Sequence, residues 1–121
     1  MRVVAFFVLV LFAILGLLAT MAGTSRAQTS EKVIEISAKR FGFTPDHITL
    51  KKGEPVKLRF ASQDVAHGFF IRELKVDEVL EPGKTVEVEV NPARTGEFTA
   101  ICHHFCGAGH GNMKMAITVE E

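Results

Sequence analysis

From residue 31 to the C-terminus the chain alternates apolar and polar side chains in short runs, and no stretch holds apolar residues at helical spacing. Ile34 and Ile36 alternate with Glu35 and Ser37, Val56, Leu58 and Phe60 with Lys57 and Arg59, and Val86, Val88 and Val90 with Glu87 and Glu89. Successive side chains of a strand point to opposite sides, so each run offers one face to a core and one to water. Near the end, Phe98 and Ala100 share parity with Cys102, and Met115, Ile117 and Val119 alternate with Ala116, Thr118 and Glu120, which predicts the last two strands. Turn chemistry fills the gaps at Lys52-Gly53-Glu54-Pro55, Glu81-Pro82-Gly83-Lys84 and Asn91-Pro92 through Gly96. Seven or eight short strands at this spacing predict an all-β domain, a two-sheet Greek-key sandwich or closed barrel.

The first residues have a different character. Met1-Arg2 precedes an apolar run from Val3 to Ala19, followed by Ser25-Arg26-Ala27-Gln28. A positive start, an apolar stretch and small residues before a cut predict an export signal cleaved after Ala27. The run from Val3 to Gly23 is also about the length, roughly 20 residues, that a helix needs to cross a bilayer, so a retained membrane anchor is the alternative. Either reading is a hydrophobic leader helix that places the domain outside the cytoplasm, in the periplasm or on the outer face of the membrane. The expected organisation is a leader over residues 1–27, a short polar linker over 28–32 and a single domain over 33–121. With 14 basic against 14 acidic residues, no basic field points to nucleic acid. Cleavage would take Arg2 and Arg26 from the 14 basic residues, leaving 12 against 14 acidic ones.

Between the last two predicted strands lies Cys102-His103-His104-Phe105-Cys106-Gly107-Ala108-Gly109-His110-Gly111-Asn112-Met113, with Cys, Cys, His and Met at the spacing C-x3-C-x3-H-x2-M. Thiolate and thioether select copper over magnesium or calcium, imidazole suits copper and zinc, and a weak methionine ligand is characteristic of electron-transfer copper rather than structural zinc. Gly107, Gly109 and Gly111 let so short a segment fold tightly. A further strong ligand is available upstream, where His67 in Asp64-Val65-Ala66-His67-Gly68-Phe69-Phe70 begins an apolar run that reads as a strand. Alone it would be a structural histidine; beside the C-terminal cluster it becomes a ligand candidate. Two other readings of the loop stay open: a Cys102–Cys106 disulfide, since an exported chain meets an oxidising compartment, and a single blue copper held by His67, Cys106, His110 and Met113.

These residues resemble the dinuclear copper domain of cytochrome c oxidase subunit II and of nitrous oxide reductase. The likeness rests on Ser62-Gln63-Asp64-Val65-Ala66-His67, the Pro82-Gly83 turn, Gly96-Glu97-Phe98 and every position of the C-x3-C-x3-H-x2-M motif, and it implies a cupredoxin-like fold. It also implies two copper ions bridged by the thiolates of Cys102 and Cys106, one histidine for each copper from His67 and His110, a weak bond from Met113, and a carbonyl ligand from the backbone of His104. Two bridging thiolates would share one unpaired electron between two metals, so bonds change little on electron transfer. With no open position for a substrate, the domain would shuttle electrons and would not be catalytic by itself.

Other residues have plainer expectations. His103 is expected to face solvent or support the ligands, the His104 side chain has no role assigned, and His47 is expected in a loop. Asp64 either orients the loop before His67 as a hydrogen-bond acceptor or forms a turn. The chain has no Trp or Tyr, unlike the aromatic-rich segment through which the oxidase subunits receive electrons. Three functional classes follow: the electron-entry subunit of a terminal oxidase, with a c-type cytochrome or oxidase subunit I as redox partner; a free-standing periplasmic electron carrier; or a copper storage or delivery protein using the same ligands.

Overall fold

A computed structural model describes residues 31–121, and the leader expected over residues 1–27 lies outside the described residues. Nine strands run in order: β1 (Val33–Lys39), β2 (Gly42–Thr44), β3 (His47–Lys51), β4 (Val56–Ser62), β5 (His67–Ile71), β6 (Val76–Leu80), β7 (Thr85–Val90), β8 (Gly96–Ile101) and β9 (Lys114–Glu120). Among the described residues, one 3-10 turn at His110–Asn112 breaks the all-β character, and no helix is long and apolar enough to cross a membrane. There are more strands than the seven or eight expected. The surplus includes β2, whose three residues are too short to show a period.

The strands form two sheets, of order β2-β1-β4-β7 and β3-β9-β8-β5-β6. Register explains why the alternation was readable. Ile36 stands opposite Phe60 and Phe60 opposite Val86, so one face of the first sheet is continuously apolar. On the second sheet, Ile48 faces Ile117, which faces Phe98. The inner faces enclose a core that includes Phe43, Leu58, Phe60, Phe69, Leu80 and Ile117, each nearly or wholly buried. Phe69 packs edge-on against Phe43 at 5.2 Å and tilted against Phe60 at 4.6 Å, tying the two sheets together.

The wet face of the first sheet uses the same register for charge. Glu35, Arg59 and Glu87 stand side by side on β1, β4 and β7, and Arg59 bonds both carboxylates at 3.0 and 2.7 Å. The guanidinium holds Glu87 below the usual carboxylate range. Such exposed pairs add little stability but oppose a one-residue register slip, which would set Arg59 against an apolar neighbour such as Val86 or Val88.

The predicted turns fall where expected, with Gly53 between β3 and β4 and Gly83 between β6 and β7 at φ of 76° and 77°, values that favour glycine. His47 corrects its expectation: it begins β3 instead of lying in a loop, and its Nε2 meets the Thr118 hydroxyl at 2.8 Å. Three connections then converge: the turn between β1 and β2, the loop from β4 to β5, and the long loop from β8 to β9. The last is closed at its base by the Cys102 N–H donating to the Met113 carbonyl at 3.0 Å.

Candidate metal centre

Strand β8 ends at Ile101, and Cys102 continues its inward parity beyond Ala100, so local alternation alone turns the first cysteine into the core. Cys106 returns inward one loop turn later, and Met113 is carried in between the 3-10 turn and the start of β9; all three are at most 4% exposed. From the other side His67, the first residue of β5, is wholly buried. The sulfurs of Cys102 and Cys106 stand 3.7 Å apart, Cys106 Sγ lies 3.8 Å from Met113 Sδ and 3.9 Å from His110 Nδ1, and both thiols are free. Donor atoms of His67, Cys102 and Cys106 all lie within 4.8 Å of one another. The Cys102 thiol points at the His104 carbonyl, 3.1 Å away. The structure thus brings His67, Cys102 and Cys106 together, from segments up to 39 positions apart, with His110 and Met113 beside Cys106 and the His104 carbonyl beside Cys102, and the 3.7 Å between the sulfurs is far from a covalent bond of about 2.05 Å.

The orientation of His67 is the most informative detail. Its Nε2 donates to Asp64 Oδ1 at 2.7 Å, while its Nδ1 is buried and has no hydrogen-bond partner. A buried polar atom without a partner is costly unless something else occupies its lone pair. With the proton assigned to Nε2 by the carboxylate, Nδ1 is a free lone pair beside two thiols, the donor set that copper selects. The residues present therefore fit a copper site.

Asp64 fills both of the roles considered for it. It shapes the loop by accepting from the Val65 N–H at 2.7 Å, and it orients His67. The Arg40 backbone N–H, donating to its other oxygen at 2.9 Å, contributes most to holding its carboxyl well below the usual carboxylate range; His67 and the Val65 N–H add to this against the cost of burial. An ionised Asp64 keeps the imidazole fixed. Burial, reinforced by the neighbouring Cys102 thiol, pushes the Cys106 thiol up to about 11. A metal entering at neutral pH must therefore displace its proton, which couples binding to pH.

Several supporting residues gave no sequence signal. Gly68 donates its N–H to Cys102 Sγ at 3.4 Å, and a Cβ at this position would lie 2.2 Å from His103 Nδ1 and 2.7 Å from the His104 backbone nitrogen. A side chain can swing away; the backbone of the ligand loop cannot do so without moving Cys102. Gly68→Ala is expected to destabilise the metal-free protein by about 1–3 kcal/mol, the usual range for overpacking, in urea unfolding. An unchanged midpoint would show that the loop yields freely. His103 takes a supporting place, its Nε2 on Asp77 Oδ1 at 2.7 Å and its ring tilted against Phe70. The loop glycines divide: Gly107 adopts φ of 138°, Gly109 leaves room for the Phe41 ring, which would sit 2.5 Å from an added Cβ, and Gly111 faces open space. The demand for tight folding therefore falls on two of the three.

A family profile described as a cupredoxin-like domain matches residues 9–119. Among curated proteins, the chain is similar to a cytochrome c oxidase subunit 2 of Thermus thermophilus, 32% identical over 92 residues that make up 76% of this chain and 68% of that protein. It is also similar to a nitrous-oxide reductase of Cupriavidus necator, 31% identical over 72% of this chain but spanning only 14% of that protein. The solved periplasmic domain of cytochrome oxidase subunit II of Bradyrhizobium japonicum superposes with a TM-score of 0.69, at 21% identity, covering 74% of this chain and 84% of that one, and shows the shared fold.

Proposed function

This chain belongs to the cupredoxin-like domain family, and from that premise we propose that it is an exported electron-transfer protein holding a dinuclear copper centre. The ligands in this reading are Cys102, Cys106, His67, His110, Met113 and the carbonyl of His104. The observation that carries it is the surplus of donors: two free thiols 3.7 Å apart, with the unpartnered Nδ1 of His67 beside them and His110 near Cys106. One copper would leave a cysteine without a task.

When bound, such a copper pair supplies one-electron chemistry. The protein's own contribution is to hold its ligands still and dry. Asp64 fixes the His67 ring, the Gly68 N–H withdraws charge from Cys102 Sγ, and burial of both thiols and Met113 excludes water. One edge stays open to a partner, where Phe105 is 74% exposed beside the ring of His110. The partners in this reading are a c-type cytochrome as donor and an oxidase subunit I as acceptor, with residues 1–27 as cleaved signal or anchor and 28–32 as linker to the domain over 33–121. The similarity to cytochrome c oxidase subunit 2 favours the oxidase role over a free carrier or a copper store.

A single blue copper is the competing reading, favoured by Cys106 alone approaching both His110 and Met113. Copper loading of the purified full chain under reducing conditions, followed by metal analysis and electron paramagnetic resonance of the oxidised form, separates the two. Two coppers per chain and a signal split by two copper nuclei are expected. One copper per chain after full loading would reject the dinuclear centre.

A further inference from the structure

We infer that Arg40, in the turn between β1 and β2, is a positioning residue that clamps the two metal-lining segments to each other and sets the electrostatics of the centre; the inference rests on the metal-centre reading above. Arg40 reaches both segments at once. Its backbone N–H donates to Asp64 Oδ2 at 2.9 Å, and the other oxygen of that carboxylate holds His67 Nε2. Its side-chain Nε donates to the Cys106 carbonyl at 2.7 Å, across 66 positions of sequence. A single residue thereby links the support of one histidine to the backbone of one bridging cysteine.

The clamp matters because the ligand loop is poorly tied otherwise. The backbone hydrogen bonds within the loop join Cys102 to Met113, Gly107 to His110, Gly109 to Asn112 and His110 to Met113. Among the described residues, none of these bonds reaches His103 to Cys106, the stretch that carries the proposed carbonyl ligand and the second cysteine. Its anchors are side-chain contacts, the His103 imidazole on Asp77 at one end, the His104 carbonyl on the Cys102 thiol, and the Cys106 carbonyl on Arg40 at the other, so that Arg40 is what holds the backbone at the second cysteine. The neighbouring Phe41 completes the brace by filling the space beside Gly107 and Gly109, where added Cβ atoms would come within 3.0 and 2.5 Å of its ring. The turn thus holds the loop by a charged hydrogen bond on one side and an aromatic face on the other.

Charge adds a second consequence. A guanidinium is always cationic, and this one abuts the carbonyl of a proposed thiolate ligand. A fixed positive charge there favours the electron-richer state of any metal held by Cys106 and so raises the potential. Arg40→Met keeps an unbranched flexible stem that reaches as far as the arginine Nε while removing both donor and charge, whereas Arg40→Lys keeps the charge but replaces the planar fork with a point donor.

The test uses the copper-loaded full chain, with chelator competition for copper affinity, voltammetry for the potential and urea unfolding of the metal-free form as a control. Arg40→Met is expected to weaken copper about 10- to 100-fold, the usual effect of losing a residue that supports metal ligands, and to lower the potential. Arg40→Lys is expected to weaken copper less and to keep the potential near that of the wild type. If Arg40→Met lost only unfolding stability while copper affinity and potential matched the wild type, the residue would be merely structural and the inference overturned. A wild-type chain that takes up no copper would instead reject the metal-centre reading, and the inference with it.

Discussion

Cys102→Ser is expected to abolish the two-nucleus paramagnetic signal and to reduce copper uptake to at most one per chain. A serine hydroxyl is a hard, weakly acidic donor that does not replace thiolate for copper, so the second bridge disappears even though the shape of the side chain is nearly kept. The substitution is sharp because Cys102 is not one of the four residues a single blue copper would need. That alternative requires Cys106, His67, His110 and Met113, all of which Cys102→Ser leaves untouched. A blue site would therefore survive with its spectrum almost unchanged, and such a result would overturn the dinuclear reading. Folding is not expected to confuse the outcome: the serine oxygen can still accept from Gly68 N–H, which in the wild type approaches Cys102 Sγ at 3.4 Å. Urea unfolding of the metal-free variant checks this point independently of copper.

The largest effect on the fold is expected at Phe69. Its ring is fully buried and wedged between Phe43 of β2 and Phe60 of β4. Truncation to alanine removes apolar area from the core and leaves a cavity between the two sheets that neighbours cannot fill without shifting. Such Phe→Ala changes cost about 3–5 kcal/mol, a large share of the roughly 5–15 kcal/mol that holds a domain together. Phe69→Leu, which keeps much of the volume, is expected to cost markedly less. Because Phe69 lies two residues from His67 on β5, the alanine variant is also expected to bind copper more weakly, and added copper to recover part of the lost stability by mass action. A loss below about 1 kcal/mol on urea unfolding would show that the site relaxes around the void, contrary to the close packing of protein interiors.

Much of this molecule follows from short-range pattern. Alternation at Ile34–Ile36, Val56–Phe60, Val86–Val90 and Met115–Val119 dictates strands because the side-chain period of a strand is two, and the buried residues of β1, β4 and β9 keep that parity. The C-x3-C-x3-H-x2-M loop is local too, so its donors could be read as a cluster without knowing any long-range contact. Even His67 and Asp64 are only three residues apart, and their partnership was one of two readings open from sequence.

What the sequence could not contain is the geometry that joins distant segments. Whether Asp64 formed a turn or held an imidazole depended on where β5 lay, and the structure has it do both, leaving His67 Nδ1 bare beside the thiols. The Arg40 contact to Cys106, the Phe41 ring over Gly109 and the Asp77 carboxylate on His103 span 66, 68 and 26 positions, with no periodicity to announce them. Strand period and ligand identity are written into neighbouring residues by the pleat and by donor chemistry, so the sequence alone determined that this chain forms strands around a cluster of copper-selecting donors. Which side chains brace that cluster was decided only by the tertiary structure, because the pairing of β1 with β4 and of β5 with β8 sets which loops meet, and pairing depends on packing across the whole core.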